Sequence, residues 1–248
     1  MPIRKICAVL LFLSLLLTVC AHAEDTAEED TRDKYEIFFD HTVFLGDSVT
    51  TQLRTYAREK KLLPGAKFLC VTNYNLGLAC RTSLNDAEAQ LTLRGMRVTT
   101  PEGLKMLQAE KVFILLGLND HAGSNLTVDM ERYSRIIDHI RKVLPDVMIV
   151  AQTVTPIQKR LQGKTLNQEN MNSFNEALEA LCAEKGVYFL DIASPLKDEE
   201  GFLNTAYARD RSDNVHLNDA GLKVWTDTLY AFTDALIAQD EALTGPGE

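Results

Sequence analysis

Five short, unbroken apolar runs constrain the fold of this chain more than any other feature. They are Thr42-Val43-Phe44-Leu45, a weaker one at Lys67 to Val71, Lys111 to Leu116 (KVFILL), Val147 to Val150 (VMIV) and Val187 to Ile192 (VYFLDI). A strand with one wet face alternates polar and apolar residues; a strand covered on both faces does not. Helical patterns fall between the runs. Met130, Tyr133, Ile137, Ile140 and Leu144 recur at helical spacing, as do Met171, Phe174, Leu178 and Leu181. A last helix is expected from near Asp219, through Val224, Trp225, Leu229 and Phe232. Each carries an apolar stripe able to cover a sheet.

Strands alternating with helices imply parallel pairing and right-handed crossovers. The expected architecture is α/β, a three-layer α/β/α sandwich. It is flavodoxin-like, with a central, mostly parallel five-stranded sheet. Ligands of such sheets sit beyond the carboxyl ends of the strands. Reactive residues are therefore expected just after the apolar runs.

The ends of the chain read differently from its middle. Arg4 and Lys5 precede an apolar run from Ile6 to Val19, and Ala21-His22-Ala23 has the small-x-small form of a cleavage site. This predicts a secretory signal peptide over 1–23, cut after Ala23, and a secreted or extracytoplasmic product. The alternative is a lipoprotein held through Cys20, for which Val19 is a poor preceding residue. Residues 24–36 are acidic and read as a disordered lead-in. The folded domain is expected over 37–238, with a flexible tail over 239–248.

Composition narrows the partners. Removing Arg4 and Lys5 with the leader takes the formal charge from −9 to −11, because the leader holds no acidic residue. An acidic surface argues against nucleic acid and against anionic membrane. No later segment is long and apolar enough for stable membrane insertion, and a monomer is expected. The mature chain keeps Cys70, Cys80 and Cys182. Export permits a Cys70–Cys80 disulfide, but three buried thiols are the plainer reading. Neither cysteines nor histidines show metal-ligand spacing, so no metal and no cofactor are implied.

Four separated segments meet the demand for reactive residues at strand ends. Gly46-Asp47-Ser48 follows the first run, and Gly77 lies in the loop after the second. Gly117-Leu118-Asn119-Asp120 follows the third, and Asp213-Asn214-Val215-His216 precedes the last helix. In this order, FLGDSVT, Gly77, GLND and DNVH resemble the four blocks of the SGNH/GDSL hydrolase superfamily over about Val43 to Phe232. The usual α/β-hydrolase motif G-x-S-x-G is absent around Ser48.

The resemblance implies a serine esterase in which Ser48 is the nucleophile, His216 its base and Asp213 the orienting acid. It implies an oxyanion hole made of the backbone N–H of Ser48, the backbone N–H of Gly77 and the side-chain amide of Asn119. The chemistry needs these residue types, because a serine hydroxyl must touch a base and a developing oxyanion must meet fixed donors. Asp210 is the alternative acid. Asp47, Leu118 and His121 are possible substrate contacts, and the segment after the fourth run (Gln152 to Lys164) is either an overhanging binding loop or a solvated connection. The expected substrate is a small ester or an acylated glycan, with acetyl the favoured acyl group. Two other outcomes are an O-acetyltransferase acting on cell-wall glycan and a glycan-binding module with a dormant triad.

Overall fold

Unbroken burial begins at the first strand. In this computed structural model, which describes residues 32–83, 91–120, 125–210, 212–213 and 215–244, β1 (Thr42–Gly46) is buried at every position. Its neighbours are β2 (Lys67–Cys70) and β5 (Lys111–Leu115), both parallel to it, with Leu45 opposite Leu69 on one side and Ile114 on the other. β6 (Met148–Gln152) and β7 (Tyr188–Leu190) continue the sheet in parallel, giving the order β2-β1-β5-β6-β7. The five strands are thus the five apolar runs, and all are parallel. The other two strands, β3 (Thr92–Leu93) and β4 (Met96–Arg97), form a separate small hairpin.

Helices cover both faces. On one side α2 (Ser48–Lys60) packs on β1 and β2 beside α7 (Asp219–Thr244). Across the sheet, α4 (Thr100–Met106), α5 (Leu126–Val143) and α6 (Gln168–Lys185) lie in a row, with short α3 (Leu76–Ala79) against α5. Their starts are written locally: Asn125 caps α5 and Asn167 caps α6, each accepting an N–H from the first turn. The core between the layers includes Phe44 stacked on Phe113 at 5.1 Å. Trp225 is fully buried there and donates its indole N–H to Gln152 Oε1 at 2.9 Å, so it is core and no sugar platform.

Chain order reverses between β1 and β5. From β1 the chain passes through α2 to β2 on one side; β5 lies on the other side and leads through α5 to β6. Parallel strands are joined by right-handed crossovers as a rule, so a reversal of direction places the connecting helices on opposite faces. The two strand ends splay there and open a crevice. This switch point is where the fold makes room for a site.

Several boundaries differ from expectation. The segment read as a lead-in ends in structure: Asp33 caps α1 (Lys34–Phe39) and Glu36 returns the bond, a capping box that buries Phe38 and Phe39. α7 runs to Thr244, into the stretch read as tail, with Leu236 and Ile237 still packed on the core. The segment after β6 divides in two: residues 153–158 are all buried, whereas Lys159, Arg160, Gln162, Gly163 and Lys164 are exposed, as a solvated connection would be. The leader read at 1–23, residues 24–31 of the lead-in, His121, Asn214 and residues 245–248 lie outside the described residues. Cys70, Cys80 and Cys182 are free thiols, and Cys80 Sγ donates to the Gly77 carbonyl at 3.4 Å. Among the described residues no helix is long and apolar enough to cross a membrane, and no group of side chains could hold a metal ion.

Candidate active site

Two adjacent strand ends supply the nucleophile side of the site. β1 stops at Gly46, where the chain turns sharply into α2. A Cβ there would lie 2.0 Å from Thr50 Oγ1 and 2.7 Å from the Leu115 carbonyl oxygen, so only glycine fits. Asp47 then caps α2, its Oδ1 accepting the Val49 N–H at 2.9 Å. Ser48 is therefore the first helical residue, at the carboxyl end of the sheet. Its own N–H precedes the helix's internal ladder and faces the favourable end for negative charge.

The base and acid come from the loop between β7 and α7. Antiparallel pairing of Ala208 with Leu217 closes this loop, and Arg209 N–H donates to the His216 carbonyl at 2.9 Å. His216 Nε2 stands 2.9 Å from Ser48 Oγ, and its Nδ1 is 2.9 Å from both carboxylate oxygens of Asp213. A ring nitrogen facing a carboxylate carries the proton, which leaves Nε2 to accept from the serine hydroxyl. Asp213 Oδ1 also accepts the N–H of His216 at 3.0 Å and of Val215 at 3.2 Å. Burial alone would raise this carboxyl's pKa. The bonds from the His216 amide, the His216 ring and the Val215 amide outweigh it and hold Asp213 below the ordinary carboxylate value.

The third piece follows β5. At Gly117 the backbone takes φ 129°, and a Cβ would stand 2.4 Å from the Phe174 ring. The turn beyond carries Asn119, whose Nδ2 donates to Asp47 Oδ2 at 2.9 Å and to the Tyr74 carbonyl at 3.1 Å. Next to it, Asp120 accepts the Leu76 N–H on both oxygens, at 3.0 and 2.9 Å. Arg132 Nη1 lies 3.9 Å from Asp120. Two buried carboxylates thus bind three strand-end loops together. Burial raises both pKa values, Asp47 to about 7 and Asp120 to about 6, with mutual repulsion adding to the rise at Asp47.

The expected residues sort themselves by position. Ser48, His216 and Asp213 form one continuous chain of contacts. Asp210 is not the partner of His216, since its Oδ1 accepts from the amide and hydroxyl of Ser212 at 2.6 Å. Asn119 lies beside the nucleophile turn. Gly77 is the second residue of α3, just behind the Asn75 cap in the segment that follows β2. Asp47 is 0% and Leu118 7% exposed, so both support the pocket from behind instead of lining it. Asp120 was missed as a site residue. Its only sequence signal is a carboxylate directly after Asn119 at a strand end.

The chain belongs to the GDSL-like Lipase/Acylhydrolase family, which it matches over residues 44–224. It is a hydrolase of the acylhydrolase and esterase type. Among solved structures it is similar to a GDSL-like lipase from Bacteroides thetaiotaomicron, at 16% identity over 79% of this chain and 88% of that one, with a TM-score of 0.61. A carbohydrate esterase of family 3 from Talaromyces cellulolyticus gives 15% identity, 80% and 98% coverage and a TM-score of 0.56. The periplasmic domain of a lipopolysaccharide acetyltransferase from Salmonella ser. Paratyphi A gives 15%, 77% and 83%, and 0.52. At such identities the likeness is one of fold. No curated protein sequence matches the chain.

Proposed function

We propose that this chain is a serine carboxylic-ester hydrolase. It acts outside the cytoplasm and removes small acyl groups, acetyl first, from a glycan or a similar alcohol. The observation that carries this reading is the unbroken contact from Ser48 Oγ through His216 to Asp213, with 2.9 Å at each step. The carbohydrate esterase and the acetyltransferase domain among the similar structures support an acyl group carried by a sugar. The leader expected over 1–23 supports export.

The reaction balances as two acyl transfers. His216 Nε2 takes the Ser48 proton as Oγ bonds to the acyl carbon, and the carbonyl electrons move onto oxygen. The Ser48 N–H meets that oxyanion. One Asn119 N–H turns to it from the Tyr74 carbonyl, its other N–H remaining on Asp47. The tetrahedral centre then collapses, the alcohol leaves, and it carries away the proton from His216. Water repeats the sequence on the acyl-serine, releasing the acid and returning the proton to Ser48. Asp213 stays ionised throughout and stabilises the imidazolium.

A screen of p-nitrophenyl esters from acetate upward, run beside acetylated glycans, tests the proposal. The highest kcat/KM is expected on acetate, with acetate released from a glycan. Ser48→Ala should lower turnover by about a millionfold. Unchanged turnover in that variant would overturn the reading. The acetyltransferase likeness gives one competing outcome a physical basis, since both reactions share the acyl-serine. Transfer to an added glycan outpacing hydrolysis would replace the hydrolase reading with a transferase one.

A further inference from the structure

The buried segment leaving β6 runs beneath the acid–base loop, and its last residue reaches into that loop. The segment is fastened from two sides. α6 holds it through Asn175, which accepts the Val154 N–H at 2.9 Å and donates to the Val154 carbonyl at 3.3 Å. Gln168, also on α6, accepts the Ile157 N–H at 2.8 Å. From the other side, Leu203 N–H donates to the Ile157 carbonyl at 3.0 Å. Gln158 follows directly and is 2% exposed. Its Nε2 donates to the Asp210 carbonyl at 2.7 Å and also to the Asp213 carbonyl. Two carbonyl acceptors on one side require the amide nitrogen there, and Oε1 on the other side accepts from Arg160 Nε at 3.4 Å. Nearby, Thr155 Oγ1 donates to the Val215 carbonyl at 3.3 Å.

We propose that Gln158 is a positioning residue for the acid–base pair, holding the main-chain carbonyls of Asp210 and Asp213 so that the Asp213 carboxylate meets His216 correctly. This rests on the reading of Ser48, His216 and Asp213 as the reacting chain. The physical reason lies in where the loop is held. The bridge of Ala208 with Leu217 ties its ends and leaves its middle to other contacts. The Asp213 carbonyl is attached to the Cα that bears the carboxylate, so moving one moves the other. That carboxylate must face His216 Nδ1 while still accepting two amides. Gln158 supplies two donors on one neutral atom, carried by backbone that α6 fixes. Asp210 is exposed and Asp213 half-buried, so the loop lies at the surface and can shift without displacing the strands and helices of the core. Loss of Gln158 therefore disturbs orientation more than folding.

Gln158→Met keeps the volume of the side chain and removes both donors. On p-nitrophenyl acetate its kcat should fall about 10- to 100-fold, as for a reacting group misplaced by roughly 1 Å. KM should stay within about twofold and thermal stability close to wild type. The low-field proton resonance of the His216 Nδ1–H bonded to Asp213 should broaden or move upfield, which a purely structural role would not produce. Should Gln158→Met not fold, Gln158→Glu takes its place, with a carboxylate facing the two carbonyls and the same losses expected. Turnover within about twofold of wild type in either folded variant, or an unmoved resonance, overturns the proposal. Ser48→Ala is assayed alongside. Activity persisting there sinks the esterase reading itself, whereas a dead Ser48→Ala beside a fully active Gln158→Met sinks only the role of Gln158.

Discussion

Two aspartates flank the reacting groups, and their environments push them in opposite directions. Asp47 precedes Ser48 on the rigid side of the site, at the end of β1. Asp213 sits three residues before His216, on a surface loop. Both accept a backbone N–H and a side-chain N–H. Yet Asp47 is raised to about 7, while Asp213 is held below its ordinary value. The difference is burial set against the number of donors. Asp47 has no exposure and lies near a second buried carboxylate, Asp120. Asp213 keeps contact with water and gathers two amides and an imidazole. Hydrogen bonds alone therefore do not decide a carboxylate's charge. The arrangement assigns Asp47 to architecture and Asp213 to the imidazolium.

The largest test of that contrast is activity. Asp213→Asn should reduce kcat by about ten-thousandfold with little change in thermal stability, because it favours the wrong imidazole tautomer. Asp47→Asn should cost less, about 10- to 100-fold, because a single oxygen cannot serve both Val49 and Asn119 and the turn shifts. Equal losses would break the contrast.

Stability against pH comes next. Asp47 and Asp120 bind protons more tightly folded than unfolded, so their contribution to stability falls as pH rises from about 4 to about 7. Each proton sets a limit of about 1.4 kcal/mol per pH unit. Unfolding temperatures from pH 5 to pH 8 should show the upper part of this slope in wild type; Asp47→Asn should lose the part between about pH 6 and 7 and keep the share that Asp120 contributes below it. Asp213 has the opposite sign. Its contribution is complete above the unfolded value of 3.8 and disappears as pH falls through its lowered folded value. A wild-type slope unchanged in Asp47→Asn would show that Asp47 does not titrate there. The smallest effect is expected from Asp210→Ala. Its carboxylate serves only its own turn, and activity should stay within about twofold. A loss approaching that of Asp213→Asn would return Asp210 to the role of orienting acid.

Much of this was legible in the sequence, for a physical reason. Strands buried on both faces must be apolar throughout, so β1, β5 and β6 are plain in the sequence, while β2, at a partly exposed edge, leaves only a weak run; a parallel sheet must expose its site at the carboxyl ends of its strands. That placed Ser48, Asn119, Asp213 and His216 on one edge. What escaped notice depends on partners far away in the chain. Gln158 bonds across to residues 210 and 213, and a glutamine in a loop has no pattern of its own. Asp120 likewise holds the Leu76 amide, 44 residues away, and nothing local to either residue signals that bond. The start of α1 does carry a local signal: Asp33 and Glu36 have capping-box spacing immediately before Ile37, Phe38 and Phe39.

Labelling with an activated organophosphonate, read by intact mass and peptide mapping, tests the assignment of Ser48 most directly. A single stoichiometric adduct is expected on Ser48, absent in Ser48→Ala and formed far more slowly in His216→Ala. An adduct that persists in Ser48→Ala, or no adduct on the folded wild-type chain, would contradict a nucleophile built on that serine.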